Sequence, residues 1–237
     1  LGLDVHDMED LGDRAGYAPG RARSEQFGLC YLRLDRELIG LYQHLANTRN
    51  PDEFVLVLTS DHGVSPLPER LREAGEVDAR RILTEDFERD IGEAIARAAK
   101  SLGLTPEVEV LRHIGTHGVW LNHELASAKG VAPDALNFEI ARALRDLTYV
   151  ADALTSEELS GRQPRAESRP WMAEYRRGHY PGRSPDVILR IEPNILAPTL
   201  LSGTSHGSPY GYDSHVPWLV GGAGIGHRVI EQPVQTV

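Results

Sequence analysis

The sequence predicts an α/β protein, layered around a largely parallel central sheet. Residues 54–59, Phe-Val-Leu-Val-Leu-Thr, form an apolar, β-favouring run without polar alternation, the pattern of a parallel strand covered on both faces. Stretches with apolar residues every three or four positions alternate with such runs, as strand–helix units require. The residues best suited to chemistry stand just beyond the first run, where open α/β sheets collect ligands. A chain of 237 residues can bury a real core, and one domain over residues 1–237 is the simplest organisation.

Composition narrows the class. Apolar residues make up 41% and charged residues 25%, near globular averages, so neither disorder nor a fibrous fold is indicated. Lys and Arg number 25 against 35 Asp and Glu, and the resulting charge of -10 argues against a binder of duplex nucleic acid. A phosphate substrate stays compatible if metal ions supply local positive charge. Cys30 is the single cysteine, which excludes an intrachain disulfide and a thiolate metal cluster. No apolar run approaches the roughly 18 residues of a membrane span. The opening Leu-Gly-Leu-Asp-Val-His-Asp lacks an initiator Met and reads as a strand in progress, so an upstream portion is expected.

In chain order, Phe27, Tyr31, Leu34, Leu38, Leu41 and Leu45 put one apolar face on a helix over 24–46, which Asn50, Pro51 and Asp52 interrupt. After the strand at 54–59, Thr84 can cap a helix whose stripe is Phe87, Ile91, Ala94, Ile95 and Ala98, ending near Gly103. Short strands follow at 108–114 and 119–122, the second reading as an edge strand remote from the motifs. A helix is expected over 133–147 and a strand over 149–154. Residues 161–185, rich in Arg, Pro and Gly, read as a surface excursion whose Arg162, Arg165, Arg169, Arg176, Arg177 and Arg183 are solvated. Strands at 186–191 and 216–220 complete the pattern.

Two segments carry donor chemistry. Asp61 and His62, in Thr59-Ser60-Asp61-His62-Gly63, offer a carboxylate and an imidazole at a strand end, a pair suited to zinc, though a strand ending in an Asx-type turn reads the same way. The Gly-rich loop from Gly203 to Gly222 holds His206, Asp213 and His215 before an apolar strand; either histidine could bind metal or be a satisfied loop residue. A Ser214, His215 and Asp213 triad is disfavoured, because sequence neighbours rarely assemble one. His113 and His117 read as structural.

Together, strand-Ser-Asp-His-Gly and the downstream Gly-Thr-Ser-His-Gly-Ser-Pro-Tyr-x-Tyr-Asp-Ser-His-Val-Pro resemble the alkaline phosphatase superfamily. The likeness is to its branch of secreted phosphate-monoester phosphatases, related to nucleotide pyrophosphatase/phosphodiesterases. The resemblance implies an alkaline-phosphatase-like fold incomplete at its N-terminus, a C-terminal portion of one catalytic domain, and two Zn2+. Asp61 and His62 would bind one zinc and His206 the other, with His215 shaping the loop. The second zinc would take an Asp and a His from Asp-x-x-Gly-His-x-x-Gly. Here Asp13-Arg-Ala-Gly16-Tyr17-Ala-Pro-Gly20 keeps the Asp and puts Tyr17 in place of the His, and Asp7 is a rival for the carboxylate.

The family's Thr or Ser nucleophile would lie upstream, so no catalytic residue is assigned and this chain alone is expected to be inactive. The resemblance implies a small phosphate ester as substrate and a secreted or periplasmic location. A sulfatase, a phosphoglycerate-mutase-like enzyme or a non-catalytic binding form are the alternatives.

Overall fold

The computed structural model describes residues 20–105, 110–161 and 169–230. They fall into two compact units: the first runs up to Gly63 and resumes at His215, and the second spans Val64–Ser214.

The first unit contains α1 (Gly20–Thr48), a short 3-10 turn (Pro51–Glu53), β1 (Val55–Thr59) and β8 (Trp218–Gly222). Helix α1 ends where the Thr48 hydroxyl donates to the His44 carbonyl at 2.7 Å, and Asn50 then caps the turn by accepting from the Asp52 amide at 3.1 Å. The rings of Tyr42 and Phe54 meet edge to face at 6.1 Å, joining the helix to the start of β1. Of the expected apolar face, Leu38 and Leu45 are half-buried, while Tyr31, Leu34 and Leu41 are exposed.

β1 corrects its sequence reading. It pairs antiparallel with β8, Val57 opposite Val220, instead of lying in a parallel ladder. Its apolar side chains are exposed apart from the half-buried Leu56, with Val57 at 48%, and on the other face of the ribbon Leu219 of β8 is 59% exposed. Apolarity measures what a strand can bury; the described residues leave most of both faces uncovered. The ribbon is tight at its end: Gly222 has φ +124°, and a Cβ there would stand 2.3 Å from the Phe54 carbonyl oxygen, which accepts from the Ala223 amide at 2.9 Å.

The second unit contains α2 (Pro68–Glu73), β2 (Arg80–Leu83), α3 (Thr84–Ser101), β3 (Leu111–Gly115), β4 (Gly118–Leu121), α4 (His123–Ser127), α5 (Pro133–Arg145) and β5 (Val150–Thr155). These are followed by α6 (Ser156–Leu159), α7 (Met172–Gly178), β6 (Val187–Ile191), β7 (Ile195–Thr199) and α8 (Gly211–Ser214). The alternation of strands and helices is that of the α/β class. Parallel pairing, however, is confined among the described residues to β2 and β7, and the four-stranded sheet β3-β4-β6-β5 is antiparallel throughout. The two-residue turn at Thr116 and His117 is the reason for one of these ladders, since so short a link can join only antiparallel neighbours. β4, expected at an edge, lies between β3 and β6.

The core forms where α3 and α5 cover this sheet. The stripe Phe87, Ile91, Ala94, Ile95 and Ala98 is buried as its spacing requires, against Leu136, Ile140 and Leu144 of α5 and Val119, Ala153 and Leu189 of the strands. Thr84 does not cap α3: Leu83 holds the cap position, and the Thr84 hydroxyl donates to the Thr199 carbonyl at 3.2 Å, tying the helix to β7.

The basic excursion is also corrected in its described part. Arg169 reaches back to Asp152 and Glu158, and its Nε donates to Asp152 Oδ2 at 2.9 Å. Arg145 joins the same carboxylate at 3.2 Å. Two buried acids on β5 and α6 recruit the arginines that composition alone would leave in solvent. Arg162 and Arg165 lie outside the described residues.

Candidate metal centre

β1 delivers Ser60, Asp61 and His62 to its carboxyl end. The Ser60 hydroxyl donates to the His62 carbonyl at 2.7 Å, and Asp61 Oδ1 accepts from the His62 amide at 3.0 Å, so the turn is closed by its own side chains. His62 Nδ1 lies 2.7 Å from the Gly63 carbonyl oxygen. That contact places the ring proton on Nδ1 and the lone pair on Nε2, the tautomer in which a histidine ligates through Nε2. Nε2 stands 3.6 Å from Asp61 Oδ2, with the carboxylate 72% exposed and the imidazole 21%. Desolvation is the largest single influence on the Asp61 carboxyl and pushes its pKa up. The His62 amide, the neighbouring imidazole, its own backbone N–H and the Ser60 hydroxyl together outweigh it and hold the pKa below its ordinary value. The pair therefore offers an ionised oxygen and an imidazole nitrogen side by side, a donor set that fits zinc.

His206 is held in the second unit by a different device. The Ser65 amide donates to the Ser205 carbonyl at 2.8 Å and the Thr204 hydroxyl donates to the Ser65 carbonyl, fixing the loop just before His206. After it, Asp213 Oδ2 accepts both the Ser208 amide at 2.7 Å and the Ser208 hydroxyl at 2.6 Å. The Tyr210 hydroxyl donates to the Ile191 carbonyl at 2.7 Å, seating the loop on β6. A cavity of about 50 Å³ opens here, lined by His206, His117, Arg190, Tyr210 and Asp213 among others.

His117 is the residue that the sequence reading misplaced. It sits at the tip of the β3–β4 hairpin, against Gly207, and not remote from the motif. Burial pushes its pKa down, the nearby His206 lowers it further, and Asp213 acts in the opposite direction. Its one sequence signal, Thr116-His117-Gly118, echoes the later His-Gly pair without revealing that the two would meet. His113, by contrast, meets the Trp120 ring across the hairpin, centroid to centroid at 5.3 Å.

Asp61 and His62 are thus brought together in the first unit, and His206 is fixed in the second. Asp7, Asp13 and Tyr17 lie outside the described residues. His215 is exposed. No cluster of three or more His, Cys, Asp or Glu side chains is assembled among the described residues. The Ser214 hydroxyl donates to the Tyr210 carbonyl at 3.0 Å and one oxygen of Asp213 serves Ser208, so neither is arranged as a triad member. Among the described residues no helix is long and apolar enough to cross a membrane.

No family model matches the chain. Comparison with curated proteins finds alkaline phosphatase PhoK of a Sphingomonas species, 30% identical over 215 residues, which cover 86% of this chain and 36% of the relative. A protein named calcium-transporting ATPase from Myroides odoratus is 25% identical over 82% of this chain and 34% of its own length. Alkaline phosphatase PafA of Elizabethkingia meningoseptica is 22% identical over 86% of this chain and 35% of its own length. The chain spans about a third of the length of the curated relatives it matches. Among solved structures, wild-type alkaline phosphatase PafA superposes with a TM-score of 0.67 at 21% identity, over 86% of this chain and 36% of that one, and shows a shared fold. Sequence likeness over most of the chain and a common fold agree, and the chain belongs to the alkaline phosphatase superfamily.

Proposed function

We propose that this chain supplies part of the two-metal site of a zinc-dependent hydrolase of small phosphate esters, monoesters first and diesters second. Asp61 and His62 would hold one Zn2+, and His206 the other with Asp13 or Asp7. The two units would then be parts of one catalytic domain, in a secreted or periplasmic protein. The observation that carries the reading is the strand-end pair: Asp61 Oδ2 and His62 Nε2 lie 3.6 Å apart, with the imidazole oriented through Nδ1 by the Gly63 carbonyl.

Bound zinc would supply positive charge that lowers the pKa of an attacking hydroxyl and stabilises a leaving oxygen. The chain's own residues do the preparatory work. The His62 amide fixes the Asp61 carboxylate, whose pKa the turn holds below its ordinary value. The Gly63 carbonyl fixes the His62 tautomer. Asp213 and Ser208 hold the loop that presents His206. No residue of this chain is assigned as nucleophile.

The test is zinc content of the purified protein by elemental analysis, with hydrolysis of an aryl phosphate monoester and a diester followed in parallel. Asp61→Ala and His206→Ala are each expected to lose one equivalent of zinc. Unchanged stoichiometry in both variants would sink the assignment.

A further inference from the structure

His117 and Asp213 stand outside the proposed ligand set, yet both line the cavity that His206 lines. Gly207, the residue after His206, has φ +99°, and a Cβ built on it would come within 2.6 Å of His117 Nε2 and 2.9 Å of Cε1. The backbone therefore lies against the imidazole at a distance that only glycine allows. The backbone that carries the imidazole is anchored, because the His117 carbonyl accepts from the Leu189 amide of β6 at 2.8 Å. On the other side of the loop Asp213 is 4% exposed; its Oδ2 closes residues 208–213 by accepting twice from Ser208. Its Oδ1 is buried and has no hydrogen-bond partner among the described residues.

We propose that His117 and Asp213 are positioning residues for His206: the imidazole is a stop for the backbone at Gly207, and the carboxylate clamps the loop beyond it. The inference rests on His206 being a metal ligand.

Two features speak against packing alone. An apolar side chain would fill the place of His117 against Gly207 without the cost of burying a polar ring. A buried carboxylate oxygen without a donor is likewise costly, and the cavity of about 50 Å³ beside it has room for roughly three to five waters at about 10–15 Å³ each. Partners of this kind, behind the ligands themselves, commonly set metal affinity.

The experiment is Zn2+ affinity of the purified protein, by competition with a chromophoric chelator, together with zinc content at saturation. His117→Ala and Asp213→Asn are each expected to weaken the affinity by about 10–100-fold while the saturated zinc count stays unchanged. His117→Gln, which keeps a polar side chain at the hairpin tip, is expected to lose less than His117→Ala. Gly207→Ala leaves both side chains in place and is expected to weaken binding through the clash with the imidazole and the backbone strain at φ +99°; if His117→Ala fails to fold, His117→Gln and Asp213→Asn decide the matter. Adding His117→Ala to Gly207→Ala is expected to cost nothing further, because the clash is gone. Unchanged affinity in Gly207→Ala and Asp213→Asn, with a zinc equivalent still lost in His206→Ala, overturns the positioning roles and leaves the metal reading intact. Full zinc content in His206→Ala overturns the metal reading, and this inference with it.

Discussion

Asp152 sits 7% exposed on β5 and meets the guanidinium groups of Arg145 and Arg169, with Arg190 at 3.9 Å. Arg190 is itself stacked on the Trp171 ring at 4.9 Å, and its Nε has no partner among the described residues. A carboxylate shared by several cations is not replaceable by an apolar group of similar size, because Arg145 and Arg169 would be left to share Glu158 alone and Arg190 would lose its carboxylate. Asp152→Ala is expected to lower the unfolding free energy by about 3–5 kcal/mol in urea titration, whereas a loss below about 1 kcal/mol would show the arginines finding water instead. None of this network was legible in the sequence. Arg169 and Asp152 are 17 positions apart across a segment that composition assigns to solvent.

At the scale of elements, legibility followed periodicity. The stripe on α3 was readable because one helical period buries it completely, and α5, β5 and β6 emerged within a few residues of their expected bounds. β2 and β7 were missed: Arg80 and Arg81, adjacent in the first, put a charge on each of its faces, and Pro198 interrupts the apolar run of the second.

One contact fixes how α2 meets β2. Arg81 Nε and Nη2 bind Glu69 Oε1 and Oε2 at 2.6 and 3.0 Å. The hydrogen bond from Arg81 holds the Glu69 carboxyl below its ordinary value of 4.5. A depressed carboxyl contributes stability that is present above the unfolded value and is lost as the pH falls through the folded one. Glu69 is 57% exposed, so the contribution is small, of order 0.2–1 kcal/mol. Glu69→Gln is expected to lower the thermal midpoint at pH 7 by a difference that shrinks as the pH falls below the ordinary carboxyl range; a difference independent of pH would rule out an ionic origin.

For the whole molecule, the contrast between the units decides behaviour. The second unit has Phe87, Ile91, Leu136, Ile140 and Leu144 fully buried. The first exposes Val57 and Val220 on one face of the β1–β8 ribbon, and Leu58 and Leu219 on the other. Apolar area of this kind binds partners or promotes association. The 237-residue chain is expected to bind a fluorescent dye for apolar surface, and Val57→Lys with Leu219→Lys to reduce the emission severalfold. No dye binding by the parent chain would show that the ribbon is covered in solution.

The sequence by itself determined the class and the superfamily and set Asp61 beside His62 as candidate donors, because strand periodicity, a long Gly-rich motif and a two-residue pair are all short-range patterns. Tertiary structure alone decided that β1 pairs antiparallel, that Arg169 belongs to Asp152, and that His117 lies beneath Gly207. Each of these is a meeting of residues distant in the chain. Such meetings are set by which surfaces can close over one another, and no local pattern encodes them.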